Sequence, residues 1–397
     1  MRKGNFQKII ALLWITASGC TWGNQKPPVV KAEPPEKLEN PLAIQFLWSR
    51  QMEGAISDIS LSGKLDMVVT TQPDVGIEKS AKTYLFSRLN SFGQLQWQQP
   101  LQSPVRDLDV SEDGLLTVLS NYEHQLIGMD PLGKVLWSIE GLCKPKVIQS
   151  LKQFLCYHDD DSEADVGFDV INWEGKKIAS YPIHEDILAF KVSDSKKNAA
   201  IGLAKGKIAL FRSGQIKPLW QRSVEGEVID IAVSSETNPK VAVLFQDNTR
   251  TQKMAVYSFK GDLLARSAPS FHSIQIEFSP QGQAVFTYGN TSQGQNIGFY
   301  PAPIYEEQWK RGGSLSAVYS SSIKVTSDLV ILGFEDSSVG KPKIHLLFFN
   351  HQGGLRADLP VISEEAAHLY TYRLSKNSDF LAVATDDGLI HSYRLTP

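Results

Sequence analysis

Six glycines, Gly93, Gly133, Gly175, Gly214, Gly261 and Gly353, sit in recurrences of one phrase, seen as "NSFGQLQW", "MDPLGKVLW", "NWEGKKIA", "SFKGDLLA" and "NHQGGLRA". Successive gaps are 40, 42, 39, 47 and 92 residues, the last spanning two periods. A period of this size belongs to propeller blades or to some helical repeats. The residues before each glycine decide between them. "TYLFSRL", "LIGMD", "FDVIN", "IALFR", "MAVYSF" and "HLLFFN" are rich in β-branched and aromatic residues and end in turn formers, as strands do. No amphipathic helical stripe of a dozen residues competes with them.

A second phrase lies earlier in each unit: "SDISLSG", "RDLDVSEDG", "LAFKVSDS", "IDIAVSSE", "IQIEFSPQG" and "TYRLSKNS". Each alternates like a strand and ends at a serine, namely Ser62, Ser111, Ser193, Ser234, Ser279 and Ser375. A serine hydroxyl can bond the backbone as the chain reverses, and another β-rich run follows every time. The unit is therefore strand, tight turn, strand, loop, strand, glycine turn, strand, which is a four-stranded antiparallel propeller blade. Third strands occur near Tyr84, Leu126, Val170, Leu210, Val256, Phe299, Leu347 and His391, so the expected fold is an all-β, eight-bladed propeller. The last unit stops after three strands, while "LAIQFLWSRQMEG" (Leu42 to Gly54) has the form of a fourth strand with no blade before it. It should close the ring from the N-terminal side and remove the open sheet edges. Trp48, Trp97, Trp137, Trp220 and Trp309 fall at equivalent places on outer strands, where packing between blades explains them better than ligand stacking.

The 397 residues divide into three parts. Residues 1–19 read as a signal peptide: Arg2, Lys3 and Lys8 precede the apolar run from Ile9 to Ile15, too short for a span of roughly 20 residues. "ASGC" then resembles a bacterial lipobox ending at Cys20, with Ala17 where leucine is usual, and Cys20 is the expected lipidation site. Residues 20–41 are proline-rich and charged, a flexible tether with little to bury. Residues 42–397 form the propeller, with 42–53 completing its last blade. Thr21 after the cysteine favours the outer membrane under the sorting rule some bacteria use. With 40 basic and 43 acidic residues, no broad basic field exists to hold nucleic acid.

"MDPLGKVLW" and "NSFGQLQW" resemble the repeats of quinoprotein-type (PQQ-like) propellers, and "FSPQG" (Phe278 to Gly282) is similar to WD-type repeats. A lipobox followed by eight such blades resembles the BamB family of outer-membrane assembly lipoproteins. That resemblance implies a non-catalytic scaffold in the bacterial envelope, without cofactor, binding an envelope or outer-membrane protein through inter-strand loops. No binding motif of the family is matched, so no residue is carried over.

Catalytic signals are few. In "HDDDSEAD", Asp159, Asp161, Glu163 and Asp165 alternate, but the glycine of a calcium loop is missing and a solvated hairpin tip is the simpler reading. The eight histidines lack metal-ligand spacing, and neither a nucleophile elbow nor a phosphate-cradling loop occurs. An enzyme is therefore not expected. The alternatives are a propeller that binds a small ligand or cation, or a divergent quinoprotein-like enzyme. The candidate site lies on the innermost strands, where polar residues alternate with apolar ones: Asp58, Asp107, Asp109, Lys191, Asp230, Glu277 and Arg373 should line the central channel.

Two further cysteines, Cys143 and Cys156, fall on one hairpin of blade three, and export favours a disulfide. A turn centred between Gln149 and Ser150 would set them face to face. Aligning "KVIQSLKQFLC" with "DLDVSEDGLLT" instead moves the turn to Leu151 and Lys152, leaving the sulfurs about four residues out of step, on the order of 10 Å. A bridge and two buried thiols both stay open. Cys20→Ser is expected to release the protein from membranes into the soluble periplasmic fraction. Retention on salt-washed membranes would refute lipidation.

Overall fold

The six repeated serines do the same thing in space. Each is buried at the end of a first strand, and its Oγ accepts the backbone N–H that follows the reversal: Asp66 on Ser62 (3.1 Å), Leu116 on Ser111 (2.9 Å), Asn198 on Ser193 (3.2 Å), Lys240 on Ser234 (2.8 Å), Ala284 on Ser279 (3.0 Å) and Phe380 on Ser375 (3.0 Å). In the seventh blade Thr326 takes this part, accepting from Leu329 N at 2.9 Å. The computed structural model describes residue 38 and residues 41–396 except 74–82, 142, 159–166, 184, 292–293, 313–322, 337–342, 362–368 and 376. Cys20, the signal and nearly all of the tether, and the acidic run from Asp159 to Asp165 lie outside the described residues.

The described strands form eight four-stranded antiparallel sheets arranged as a ring of blades. Blade one runs β2 (Ala55–Leu61), β3 (Met67–Gln72), β4 (Tyr84–Leu89) and β5 (Leu95–Leu101) from inside to outside, and the next six repeat this order. The eighth breaks it. Its first three strands are β30 (Leu369–Leu374), β31 (Phe380–Thr385) and β32 (Leu389–Thr396), and its fourth is β1 (Ala43–Gln51). The pairing runs from Ala43↔Thr396 to Gln51↔Leu389, with a bulge between Phe46 and Trp48. The chain's first strand thus completes the last blade.

Between blades the core repeats as well. All six phrase glycines have positive φ, from +73° at Gly93 to +84° at Gly353, a backbone that side chains with Cβ adopt only at a cost. Upstream, Asn90, Asp130 and Asn350 bond the turn with their side-chain oxygens: Asp130 Oδ1 accepts from Leu132 N and Lys134 N, both at 2.9 Å. The bare face of the glycine then receives the tryptophan of the preceding blade. A Cβ on Gly93 would lie 2.6 Å from Trp48, on Gly133 3.1 Å from Trp97, on Gly175 2.7 Å from Trp137, on Gly261 3.0 Å from Trp220 and on Gly353 2.9 Å from Trp309. Four of the indoles also donate Nε1–H to a carbonyl of that turn: Trp48 to Ser91 (3.0 Å), Trp97 to Pro131 (2.7 Å), Trp137 to Trp173 (2.6 Å) and Trp309 to His351 (3.2 Å). The five tryptophans are packing residues.

The cysteines correct both anticipated registers. The ladder pairs Ile148 with Gln153 and Pro145 with Cys156, so the reversal occupies Gln149 to Lys152, with Lys152 left-handed at φ +48°. That leaves a two-residue stagger, between the two alignments drawn from sequence. Cys143 lies just before the ladder, where the entering chain curls to bring its Cα within 5.3 Å of that of Cys156, and the two are joined as a disulfide. Both sulfurs are buried among Val147, Phe154 and Ile171.

Trp97→Ala should open a gap against Gly133 and lower stability by about 3 kcal/mol. Urea unfolding of the parent and variant checks this; coincident midpoints would show that the joint carries no stability.

Candidate channel site

The first strand of every blade lies innermost, and its alternation sorts the side chains. Ile59, Leu108, Ile231 and Ile276 are buried in the blades, while the residues between them turn the other way. Ring closure brings that second set together. Arg373 Nη2 lies 3.2 Å from Asp58 Oδ1, and Lys146 Nζ lies 3.3 Å from Asp107 Oδ2. Lys196 Nζ meets Asp109 Oδ2 at 3.0 Å, and Lys191 pairs with Glu277. The last two pairs decide the geometry. Lys191 and Lys196 belong to blade four, Asp109 to blade two and Glu277 to blade six, and blades two apart can share an ion pair only across the inside of the ring.

All seven residues expected on the channel are in this network. Asp230 enters it through backbone and field, its Oδ2 accepting Ile276 N of the next blade at 2.8 Å. Asp109 is the densest knot. It accepts Val147 N of blade three at 2.8 Å, Val110 N at 3.0 Å and the Ser60 hydroxyl of blade one at 3.4 Å, besides the Lys196 ammonium. Four further members were not anticipated: Lys146 on β10 (Lys144–Ile148), Lys324 on β26 (Ile323–Val325), and Asp194 and Lys196 in the turn that follows Ser193. A fifth unanticipated charge lies apart from them. Arg88, 4% exposed, pairs with Asp66 at 2.8 Å and donates to Gly114 O at 2.9 Å, tying blade one to blade two.

The charges are unevenly compensated. Burial raises the Asp58 carboxyl to about 6, helped by nearby Asp107 and opposed by Arg373. Asp230 also rises to about 6 through burial, with Glu277 adding and Lys191 opposing. Burial acts on Asp109 in the same sense, but Lys196, Lys146 and the Val147 N–H together hold it below the usual carboxylate range. Lys146 is pushed up, because Asp107, Asp109 and Asp58 outweigh its burial. Lys191 rises likewise through Glu277 and Asp230. Lys324 goes the other way: burial lowers it, and Lys191 and Arg373 add repulsion. Such an interior can attract a small ion or polar ligand, but cations are interleaved with its carboxylates. Among the described residues, no three His, Cys, Asp or Glu side chains are grouped to hold a metal.

No protein-family model matches the sequence, and no curated protein matches it. A search of solved structures does find a match. BamB from Moraxella catarrhalis superposes with a TM-score of 0.61, covering 89% of this chain and 100% of that one at 13% identity. The fold resembles that of BamB. At this identity the likeness to BamB speaks for fold alone, and the channel network above rests on this chain's own residues. Among the described residues no helix is long and apolar enough to cross a membrane.

Asp230 makes the imbalance measurable. A carboxyl whose folded pKa lies above its unfolded value of 3.8 holds its proton more tightly when folded. The stability this gives is present below about pH 4 and is lost as pH rises to about 6. Asp230→Asn removes that loss while keeping an oxygen for Ile276 N. Its stability relative to the parent should climb by about 2–3 kcal/mol across this window and level off above it. Urea unfolding at intervals from pH 4 to 7 tests it, and parallel stability curves for the two proteins would contradict the assignment.

Proposed function

We propose that the chain is an envelope lipoprotein that acts as a non-catalytic, protein-binding assembly scaffold, presenting its propeller loops to an outer-membrane or other envelope protein. The observation that carries this reading is the extent of the BamB likeness: it spans the whole of that chain and 89% of this one. The leader, the lipobox-like "ASGC" with Cys20 and the proline-rich tether add what such a protein needs before its first blade. The channel supports a role without catalysis. Asp58, Asp107, Asp109, Asp230 and Glu277 are each engaged by an ammonium, a guanidinium or a backbone N–H group, so they hold blades together instead of awaiting a substrate. No cofactor is part of the proposal. One observation favours a second reading, a small-ligand or cation site in the channel. Asp58 and Asp230, both held near 6, would gain from an added positive charge.

Mild crosslinking of intact envelopes tests the main reading. A dominant adduct with an integral outer-membrane protein is expected, and it should weaken in the Cys20→Ser variant. Purified protein carrying a stoichiometric quinone or metal, with only self-adducts in the envelope, would overturn it.

A further inference from the structure

Of the six joints that keep the phrase glycine, one lacks the tryptophan. Between blades three and four the glycine is kept as Gly214, but the outer strand β13 (Lys177–Pro182) has Ala179 at the place of the tryptophan. The glycine's bare face is met instead by the Leu151 side chain and by Gln153, each 2.7 Å from where a Cβ would sit. Beside this joint, between the first turns of blades three, four and five, lies a pocket of 400 Å³, a size suited to a small ligand. Ile148 and Leu151 give it an apolar side.

The other side is cationic and unsatisfied. Arg212 and Lys197 are exposed at the pocket, neither in an ion pair with a described residue. Arg212 is steadied over the Phe259 ring, 5.9 Å from its centroid. Ser213 is 6% exposed, lines the pocket, and its Oγ has no hydrogen-bond partner. A buried hydroxyl without a partner costs about 1–3 kcal/mol unless a ligand or water satisfies it. The remaining charges at the pocket are already taken: Lys196 by Asp109 at 3.0 Å, and Glu236 by Lys240 at 2.9 Å.

We propose that this pocket binds a small anion, a carboxylate or phosphate monoester on an apolar body of about aromatic size. The anion would sit on Arg212, Lys197 and the Ser213 hydroxyl, and the apolar part on Ile148 and Leu151. Charge-assisted hydrogen bonds to the guanidinium supply the specificity. This goes beyond the scaffold reading and does not depend on it, since the site uses Arg212, Lys197 and Ser213, none of them in the channel network, and needs no protein partner.

Isothermal titration of the purified propeller with phenyl phosphate, benzoate and inorganic phosphate tests the site. Saturable binding of the two aromatic anions is expected, with inorganic phosphate weaker. Arg212→Gln should weaken it by roughly tenfold or more, and Ser213→Ala by several-fold. Lys253→Gln, on blade five and away from the pocket, should leave it unchanged. Because Arg212 is exposed, its variant should unfold at the parental urea concentration, so a loss of binding cannot be charged to misfolding. No saturable heat up to about 10 mM ligand, undiminished binding in Arg212→Gln, or equal affinity for inorganic phosphate would each overturn the proposal.

Discussion

The contact on which the ring depends is an indole lying on a glycine. Propeller blades diverge toward the outside, so their outer strands need a large flat group to fill the widening gap. Trp48, Trp97, Trp137, Trp220 and Trp309 supply it, and the glycine of the next blade makes room. That glycine serves twice. Its positive φ permits the tight turn between third and fourth strands, and its missing Cβ admits the ring. The indole N–H would be an unsatisfied donor in such a position, and in four of the five joints the turn's own carbonyl accepts it. Trp220 is the exception: its Nε1 is buried without a partner. Arg222 of the same strand lies against Gly261 as well and donates to its carbonyl at 2.8 Å.

Closing the ring has an electrostatic consequence inside it. The strand period of two that buries Ile59 and Ile231 sends the alternate residues inward from every blade. Those residues then lie within reach of partners far away in sequence, such as Lys196 and Asp109, 87 positions apart. Buried charges tolerate this only when they are paired and hydrogen-bonded. Asp109 meets that condition four ways and stays ionised, whereas Asp58 and Asp230 meet it less completely and rise to about 6. The interior is thus a lattice that fixes blade against blade, with a few positions where charge is left over.

What was legible in the sequence follows from which features are local. The glycines and serines are dictated by the turn each must make, so their recurrence gave blade number and strand order, and the orphan strand at Leu42 gave the closure. The alternation before each serine likewise marked the inward residues. Lys146 escaped because blade three replaces the serine turn with the turn at Gln149–Leu151, whose Gln149 reaches over to Asp113 N at 2.9 Å. Lys324 escaped because Thr326 replaces serine in blade seven. Asp194 and Lys196 fall in the turn after Ser193, where strand alternation says nothing. The partners of these charges depend on the width of the closed ring, which no local pattern encodes. The disulfide had a similar obstacle: its register turns on two residues of loop length, and the curl before Lys144 that completes it has no signature of its own.

Closure is also less local than one strand added to one blade. Leu42 is buried and donates its N–H to Arg356 O of blade seven at 3.0 Å. The next nine residues form β1, and all but Leu47 at the bulge pair along β32 in blade eight. From the same strand Trp48 and Arg50 reach blade one, the first donating to Ser91 O and the second to Gly93 O at 2.9 Å. Met52 N then bonds Gly388 O at 2.9 Å before the chain enters blade one as β2. On the inner side of the same boundary, Arg373 of blade eight holds Asp58 of blade one. A single short segment therefore binds three consecutive blades, and the loss of β1 would expose an edge while also removing two inter-blade contacts. In a repeat architecture whose sheets pack only against their neighbours, such a stitch makes opening at the ends and opening of the ring the same event.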